Sequence, residues 1–208
     1  PFAPENGDQG SNAGAPVYTV ALHDASQLTD ALLARRPAVV YLPLEEALKV
    51  WDRFGDMAGQ GVEPSVILPR VLWDREVPEV ERALAELKRS GARSVLVGNL
   101  GGISLAERVG LPARGDFGLE VYNSQCAGAY REMGLQSAAL SFEQRLSRVR
   151  DQKKPLPSEL IVYGRLPLMI TENCIYKARD GKCRRGCEAR QGILDRKKAR
   201  FPVLRAWG

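Results

Sequence analysis

The sequence predicts an α/β protein: a (β/α) barrel-like domain of the TIM type, incomplete at seven strand candidates, with a cysteine-containing C-terminal extension. Three observations predict it. From residue 17 onward, short apolar runs alternate with helical stretches, the pattern of successive βα units. Most runs are nearly continuous in Val, Leu, Ile and Ala, as strands buried on both faces of a parallel sheet require. No Gly-x-Gly-x-x-Gly turn follows the first run, which argues against an open dinucleotide-binding sheet and for a barrel.

The first strand is expected over residues 17–22, with Asp24 placed to cap a helix that runs to about residue 35. A second strand over 38–42 leads into a helix over 45–57, and a third over 66–69 into a helix over 78–90. In that third helix Val80, Ala83, Leu84 and Leu87 share one face, with Pro78 in the first turn and Gly91 just past the end. A strand over 94–98 precedes a short helix over 104–109, and one over 117–122 precedes a helix over 124–133 that Gly134 ends. The last two strands fall at 137–140, followed by a helix over 142–150, and at 159–163.

Domain organisation is read as a linker over 1–16, the barrel-like domain over 17–165 and a basic extension over 166–208. The linker is rich in Gly, Pro, Asn and Asp without apolar periodicity, and it leads to the expectation of an upstream domain in the same polypeptide. It lacks the basic start and apolar middle of a secretory signal, and no run approaches the ~18 apolar residues of a membrane span. A reducing, cytoplasmic setting is therefore expected, with thiols free or metal-bound rather than paired. Charge is uneven: residues 145–208 hold 17 Lys and Arg against 6 Asp and Glu, while residues 1–144 hold 13 against 19. A basic segment on a mildly acidic body suits an anionic partner, of which RNA is the obvious one; a solvated basic face is the alternative.

The cysteines carry the most direct chemistry. Cys174, Cys183 and Cys187 are spaced C-x8-C-x3-C, and Cys126 follows an earlier strand. Thiolates hold zinc or iron–sulfur clusters, usually in fours. Only Cys183 and Cys187 fit the close pairs that zinc favours, so an iron–sulfur cluster is preferred and zinc is the alternative.

In a (β/α) barrel the active site lies at the C-terminal strand ends. Those positions are His23, Glu45, Arg70, Asn99, Asn123, Ser141 with Glu143, and Tyr163 with Arg165. The substrate-binding candidates are Arg70, Asn99, Asn123, Glu143, Tyr163 and Arg165, the arginines because a guanidinium grips an anion bidentately. Asn99 and Asn123 also suit capping, and Glu143 also suits a helix first turn. No Gly-x-Ser-x-Gly elbow or His-Glu-x-x-His helix is present, and with one histidine no triad is legible; Cys126 with His23 is the one conceivable thiol–base pair.

The run Glu159-Leu-Ile-Val-Tyr-Gly-Arg-Leu-Pro-Leu-Met-Ile-Thr-Glu-Asn-Cys174, then Cys183 and Cys187, Leu194-Asp-Arg-Lys and Arg200-Phe-Pro-Val, resembles the C-terminal signature of the collagenase-like peptidase U32 family. Leu68-Pro-Arg, Val97-Gly-Asn-Leu-Gly, Gly115-Asp-Phe, Val121-Tyr-Asn-Ser and Leu140-Ser-Phe-Glu resemble it upstream, in order, over about residues 17–203. The resemblance implies a barrel-like fold, here the second barrel segment of a large member. For several relatives it also implies a 4Fe–4S cluster and oxygen-independent or prephenate-dependent hydroxylation of RNA bases or of a quinone precursor. Other relatives carry a protease label. Cys174, Cys183 and Cys187 match the family's cysteines; Cys126 has no clear counterpart among them, so the fourth ligand is expected either from Cys126 or from elsewhere in the polypeptide. Three functions follow as expectations: a hydroxylase, a collagenase-like peptidase, or a non-catalytic RNA-binding barrel.

Overall fold

The computed structural model describes residues 15–171, 173–182 and 192–203, and the chain divides into two compact units, 1–162 and 163–208. The first unit holds one parallel sheet in strand order β1 to β7, curled into an incomplete TIM-type barrel with helices outside. Its strands are β1 (Thr19–Ala21), β2 (Val39–Pro43), β3 (Glu63–Ile67), β4 (Ser94–Val97), β5 (Ala113–Gly115), β6 (Leu135–Ala139) and β7 (Ser158–Glu159). The connecting helices are α1 (Asp30–Leu33), α2 (Leu44–Lys49), α3 (Trp51–Asp56), α4 (Val77–Arg89), α5 (Leu100–Val109), α6 (Ser124–Glu132) and α7 (Leu146–Asp151). The second unit holds α8 (Ile175–Asp180) and an antiparallel hairpin of β8 (Gly192–Leu194) and β9 (Arg200–Pro202). Among the described residues no helix is long and apolar enough to cross a membrane.

Residues alternate across each strand, and the two faces have different jobs. The outward set, Val40, Leu42, Val66, Val95 and Val97, is fully buried and packs in one core with Val80, Leu84, Leu87 and Leu105 of the helices. The inward set joins a small apolar cluster of Val39, Tyr41 and Leu96 to a group of polar side chains. Arg114 of β5 donates to both carboxylate oxygens of Glu63 at 3.0 and 2.7 Å and to Ser137 Oγ at 3.0 Å. Ser137 Oγ donates to Glu159 Oε1 at 2.8 Å and Ser94 Oγ to Glu63 Oε1 at 2.5 Å, with Ser65 Oγ 2.8 Å from Ser94 Oγ. Glu159 also accepts from Tyr41 at 2.8 Å and from Thr19 Oγ1 at 3.0 Å. Each of the seven strands thus contributes to one side-chain network.

Electrostatics inside the barrel follow from that placement. Burial, then the Glu159 charge, pushes the Tyr41 hydroxyl far above the ordinary phenol range, so it stays a donor. Burial alone would weaken the Arg114 guanidinium, but the hydrogen bonds and charge of Glu63 outweigh it and hold its pKa above the ordinary value. β1 and β7 are not neighbours in the ladder; among the described residues the Thr19–Glu159 bond spans that opening.

Several elements differ from expectation. The fifth strand is residues 113–115, not 117–122, because Asp116 accepts from the Phe117 N–H at 2.8 Å and starts a 3-10 turn over Phe117–Leu119. Of the expected segment Val121 alone pairs, in a single parallel bridge to Leu140. The helix expected over 104–109 begins at Leu100, because Asn99 caps it by accepting from Gly102 N–H at 2.8 Å. The helix expected over 45–57 breaks at Val50, whose φ of −133° is not helical. The seventh strand ends at Glu159 rather than residue 163.

Arg114→Ala leaves Glu63 and Glu159 without their shared cation. Their side chains are 27% and 23% exposed, so a loss of roughly 2–3 kcal/mol is expected. Urea unfolding measures it, and an unchanged midpoint would show that the interior network adds nothing to stability.

Candidate active site

Arg70, just past β3, lies at the C-terminal mouth of the barrel. Its guanidinium carbon sits 3.7 Å from the Phe117 ring centroid, and Nη2 lies 3.5 Å from Asp116 Oδ2. A planar cation flat on an aromatic face gains from the ring quadrupole and keeps its edge free for other partners. Phe117 in turn meets Phe142 edge-to-face, centroids 5.8 Å apart at 64°. Phe142 is 49% exposed, so the series runs from a half-buried carboxylate out to an open ring.

Backbone clearance makes this possible. A Cβ on Gly118 would lie 2.7 Å from Gly98 O and 3.0 Å from Arg70 Nη2, and a Cβ on Gly98 would lie 3.2 Å from Arg70 Cγ. Two glycines therefore make the slot through which the arginine passes. Asn99 fixes the base of the arginine: its Nδ2 donates to Arg70 O at 2.8 Å while its Oδ1 caps α5. One side chain joins the third and fourth loops of the rim.

Burial raises the Asp116 carboxyl above its ordinary 3.8; the Phe117 N–H and Arg70 pull the other way without cancelling it. The folded state therefore binds this proton more tightly than the unfolded chain. Its contribution favours folding at low pH and is lost as pH rises through the folded value.

The other expected site residues divide into those the rim holds and those it does not. Asn123 caps α6, accepting from Cys126 N–H at 2.8 Å, and Glu143 is exposed, its N–H donating to Ser141 Oγ at 3.4 Å. Ser141 itself is buried and donates to Glu120 Oε2 at 3.0 Å. His23 is exposed, its backbone N–H on Gln27 Oε1 at 2.6 Å, and Glu45 is exposed in the first turn of α2. Tyr163, 97% exposed, and Arg165 belong to the second unit.

Both described thiols are free. Cys126 is half-buried near the start of α6, with Sγ 3.8 Å from Glu120 O. Cys174 is exposed and caps α8, its sulfur accepting from Lys177 N–H at 3.4 Å. Cys183 and Cys187 lie outside the described residues. Among the described residues no three His, Cys, Asp or Glu side chains gather as a metal site.

Asp116, Phe117 and Phe142 were not among the expected site residues. The signal for them was the glycines at 98, 115 and 118, which mark close approach of a bulky neighbour at strand ends. Asp116→Asn is expected to gain stability relative to the wild type as pH rises from 3.8 upward, read by thermal unfolding at several pH values. A constant difference between the two proteins across that range would refute the raised carboxyl.

Three solved structures are similar in fold. The U32 peptidase Mk0906 is 14% identical, with 76% of this chain and 72% of that chain covered at a TM-score of 0.48. MenC from Desulfotalea psychrophila is 15% identical over 70% of this chain and 46% of its own, at 0.42. A glycerol uptake operon antiterminator-related protein from Thermotoga maritima is 16% identical over 70% and 94%, at 0.40. No curated protein matches the sequence. The sequence profile of peptidase family U32, however, matches residues 53–199, which take in Arg70, Asp116, Phe117, Phe142 and all four cysteines. With well over half its length matched, the chain belongs to peptidase family U32.

Proposed function

We propose that this chain is the substrate-binding barrel of an iron–sulfur-dependent enzyme that hydroxylates RNA bases. The observation that carries the reading is Arg70 stacked 3.7 Å from the Phe117 centroid at the barrel mouth, with Phe142 open beside it. Unpaired bases are gripped by stacking on aromatic rings and guanidinium planes, and phosphates by guanidinium N–H donors. Arg70 and Phe142 supply both within one rim. Asp116 positions the guanidinium, and Asn99 holds the backbone beneath it.

Cys174, Cys183 and Cys187 are the ligands this reading assigns to a 4Fe–4S cluster, with Cys126 or a residue elsewhere in the polypeptide as the fourth. Supporting this reading, Cys174 is exposed and its sulfur accepts the Lys177 N–H at 3.4 Å, the kind of hydrogen bond that cluster sulfurs receive. A bound cluster supplies one-electron redox chemistry. Zinc on the same sulfurs would make the site a structural knuckle instead.

A peptidase is less well supported. Cys126 has a backbone carbonyl beside its sulfur, and Ser141, with Glu120 as its acceptor, is only 3% exposed. Neither is presented to a substrate as an activated nucleophile must be.

Metal analysis of anaerobically purified protein is expected to find iron and acid-labile sulfide that Cys174→Ser lowers; stoichiometric zinc with no iron would sink the redox reading. Arg70→Met is expected to weaken binding of a single-stranded oligoribonucleotide roughly tenfold or more, as loss of a charge-assisted hydrogen bond of about 1.5–3 kcal/mol implies. Unchanged affinity, with iron content intact, would remove the mouth from substrate binding.

A further inference from the structure

The hairpin of the second unit pairs Gly192 with Pro202, Ile193 with Phe201 and Leu194 with Arg200. Its tip is built by Asp195. That carboxylate accepts from Lys197 N–H and Ala199 N–H, both at 2.8 Å. Asp195 N–H also donates to Ala199 O, and Lys198 N–H to Asp195 O, each at 3.0 Å. Lys198 takes φ 63°, a left-handed turn that a lysine adopts only where its surroundings hold it. The one acid of the hairpin is thus committed to shaping the loop, while Arg196, Lys197 and Lys198 stand exposed on it.

The flanks add to this surface. Arg200 lies across Gly192, where a Cβ would come 2.9 Å from its Cγ, so the fourth cation is laid along one face of the ribbon. On the other face Phe201 is 36% exposed beside Ile193 at 43%. Cations on a preformed loop with an aromatic ring alongside match the way single strands are held, by phosphates on basic side chains and bases on rings. A loop already shaped loses little entropy when it binds. An anionic membrane surface would call for a broader apolar face than one cross-strand pair.

We infer that the hairpin over 192–203 is an RNA-docking element, in which Arg196, Lys197 and Lys198 take phosphates and Phe201 stacks on an unpaired base. The inference rests on the reading of RNA as substrate and names a contact separate from the barrel mouth.

The experiment measures binding of the whole chain to a fluorescent oligouridylate by anisotropy over a salt series. Neutralising three phosphate contacts is worth about 0.7 each in the slope of log affinity against log salt. R196A/K197A/K198A is therefore expected to flatten that slope by about 2, and Phe201→Ala to cost roughly tenfold in affinity. Asp195 gives the sharper discrimination. Asp195→Asn keeps an acceptor and removes a negative charge, so binding should hold or tighten. Asp195→Ala removes the same charge but also the loop's hydrogen bonds, so binding should weaken. Tighter binding by both would mean that charge alone matters and would overturn the shaped loop. An unchanged slope in the triple variant, with wild-type RNA binding intact, overturns the hairpin and leaves the mouth reading standing; no RNA binding by the wild type overturns both. Capture on phosphatidylserine vesicles as tight as on RNA, and lost in the triple variant, would reassign the surface to membranes.

Discussion

Arg114 is the charge on which the interior of this barrel depends. A seven-stranded parallel sheet curled on itself has a narrow centre, and this one sets two carboxylates, from β3 and β7, beside the buried Val39, Tyr41 and Leu96. Two negative groups converging in a low-dielectric space repel unless a cation lies between them. The guanidinium answers that need with a fork that matches Glu63 and a third N–H for Ser137. The hydroxyls of Tyr41, Ser94 and Thr19 then satisfy the carboxylate lone pairs that remain. Shape and polarity are coupled: the strands curl to the radius at which these side chains reach one another.

The mouth inherits its geometry from that interior. Alternation along β3, β4 and β5 sends Val66, Val95 and Ala113 outward to the helices and leaves the residues at the strand ends to form the rim. Gly98 and Gly118 clear a path between loops, Arg70 fills it, and Asp116 sits below in a pocket dry enough to weaken its own acidity. The result is a cation fixed in direction and an aromatic pair stepping out toward solvent. Preorganisation of this kind is what a binding site needs and what a purely structural ion pair does not.

Much of the fold was legible in the sequence because parallel strands are apolar on both faces and βα units repeat. Six of the seven strands fall on or overlap the expected runs. The fifth escaped because Ala113-Arg-Gly has no apolar run at all; its outward faces are small, and its one long side chain points inward to pair. The more strand-like stretch after it, Phe117 to Tyr122, was diverted by a single hydrogen bond from its own backbone to Asp116. Arg70 and Asn99 were readable as strand-end polar residues. Asp116 and Phe117 were not, since their pairing with Arg70 joins residues 46 and 47 apart that only the register of the sheet brings together. Tyr163 and Arg165 were assigned to the rim by counting from a strand that stops four residues sooner than its apolar letters suggest.

The gap between first and last strand has a mechanical meaning. Everywhere else around the wall, neighbouring strands are laced by backbone bonds that resist being pulled apart together. Between β1 and β7, among the described residues, the tie is a threonine hydroxyl resting on a glutamate. Such a seam unfastens one button at a time. The cylinder is therefore a cuff rather than a ring, able to loosen on one side while its helical jacket stays in place.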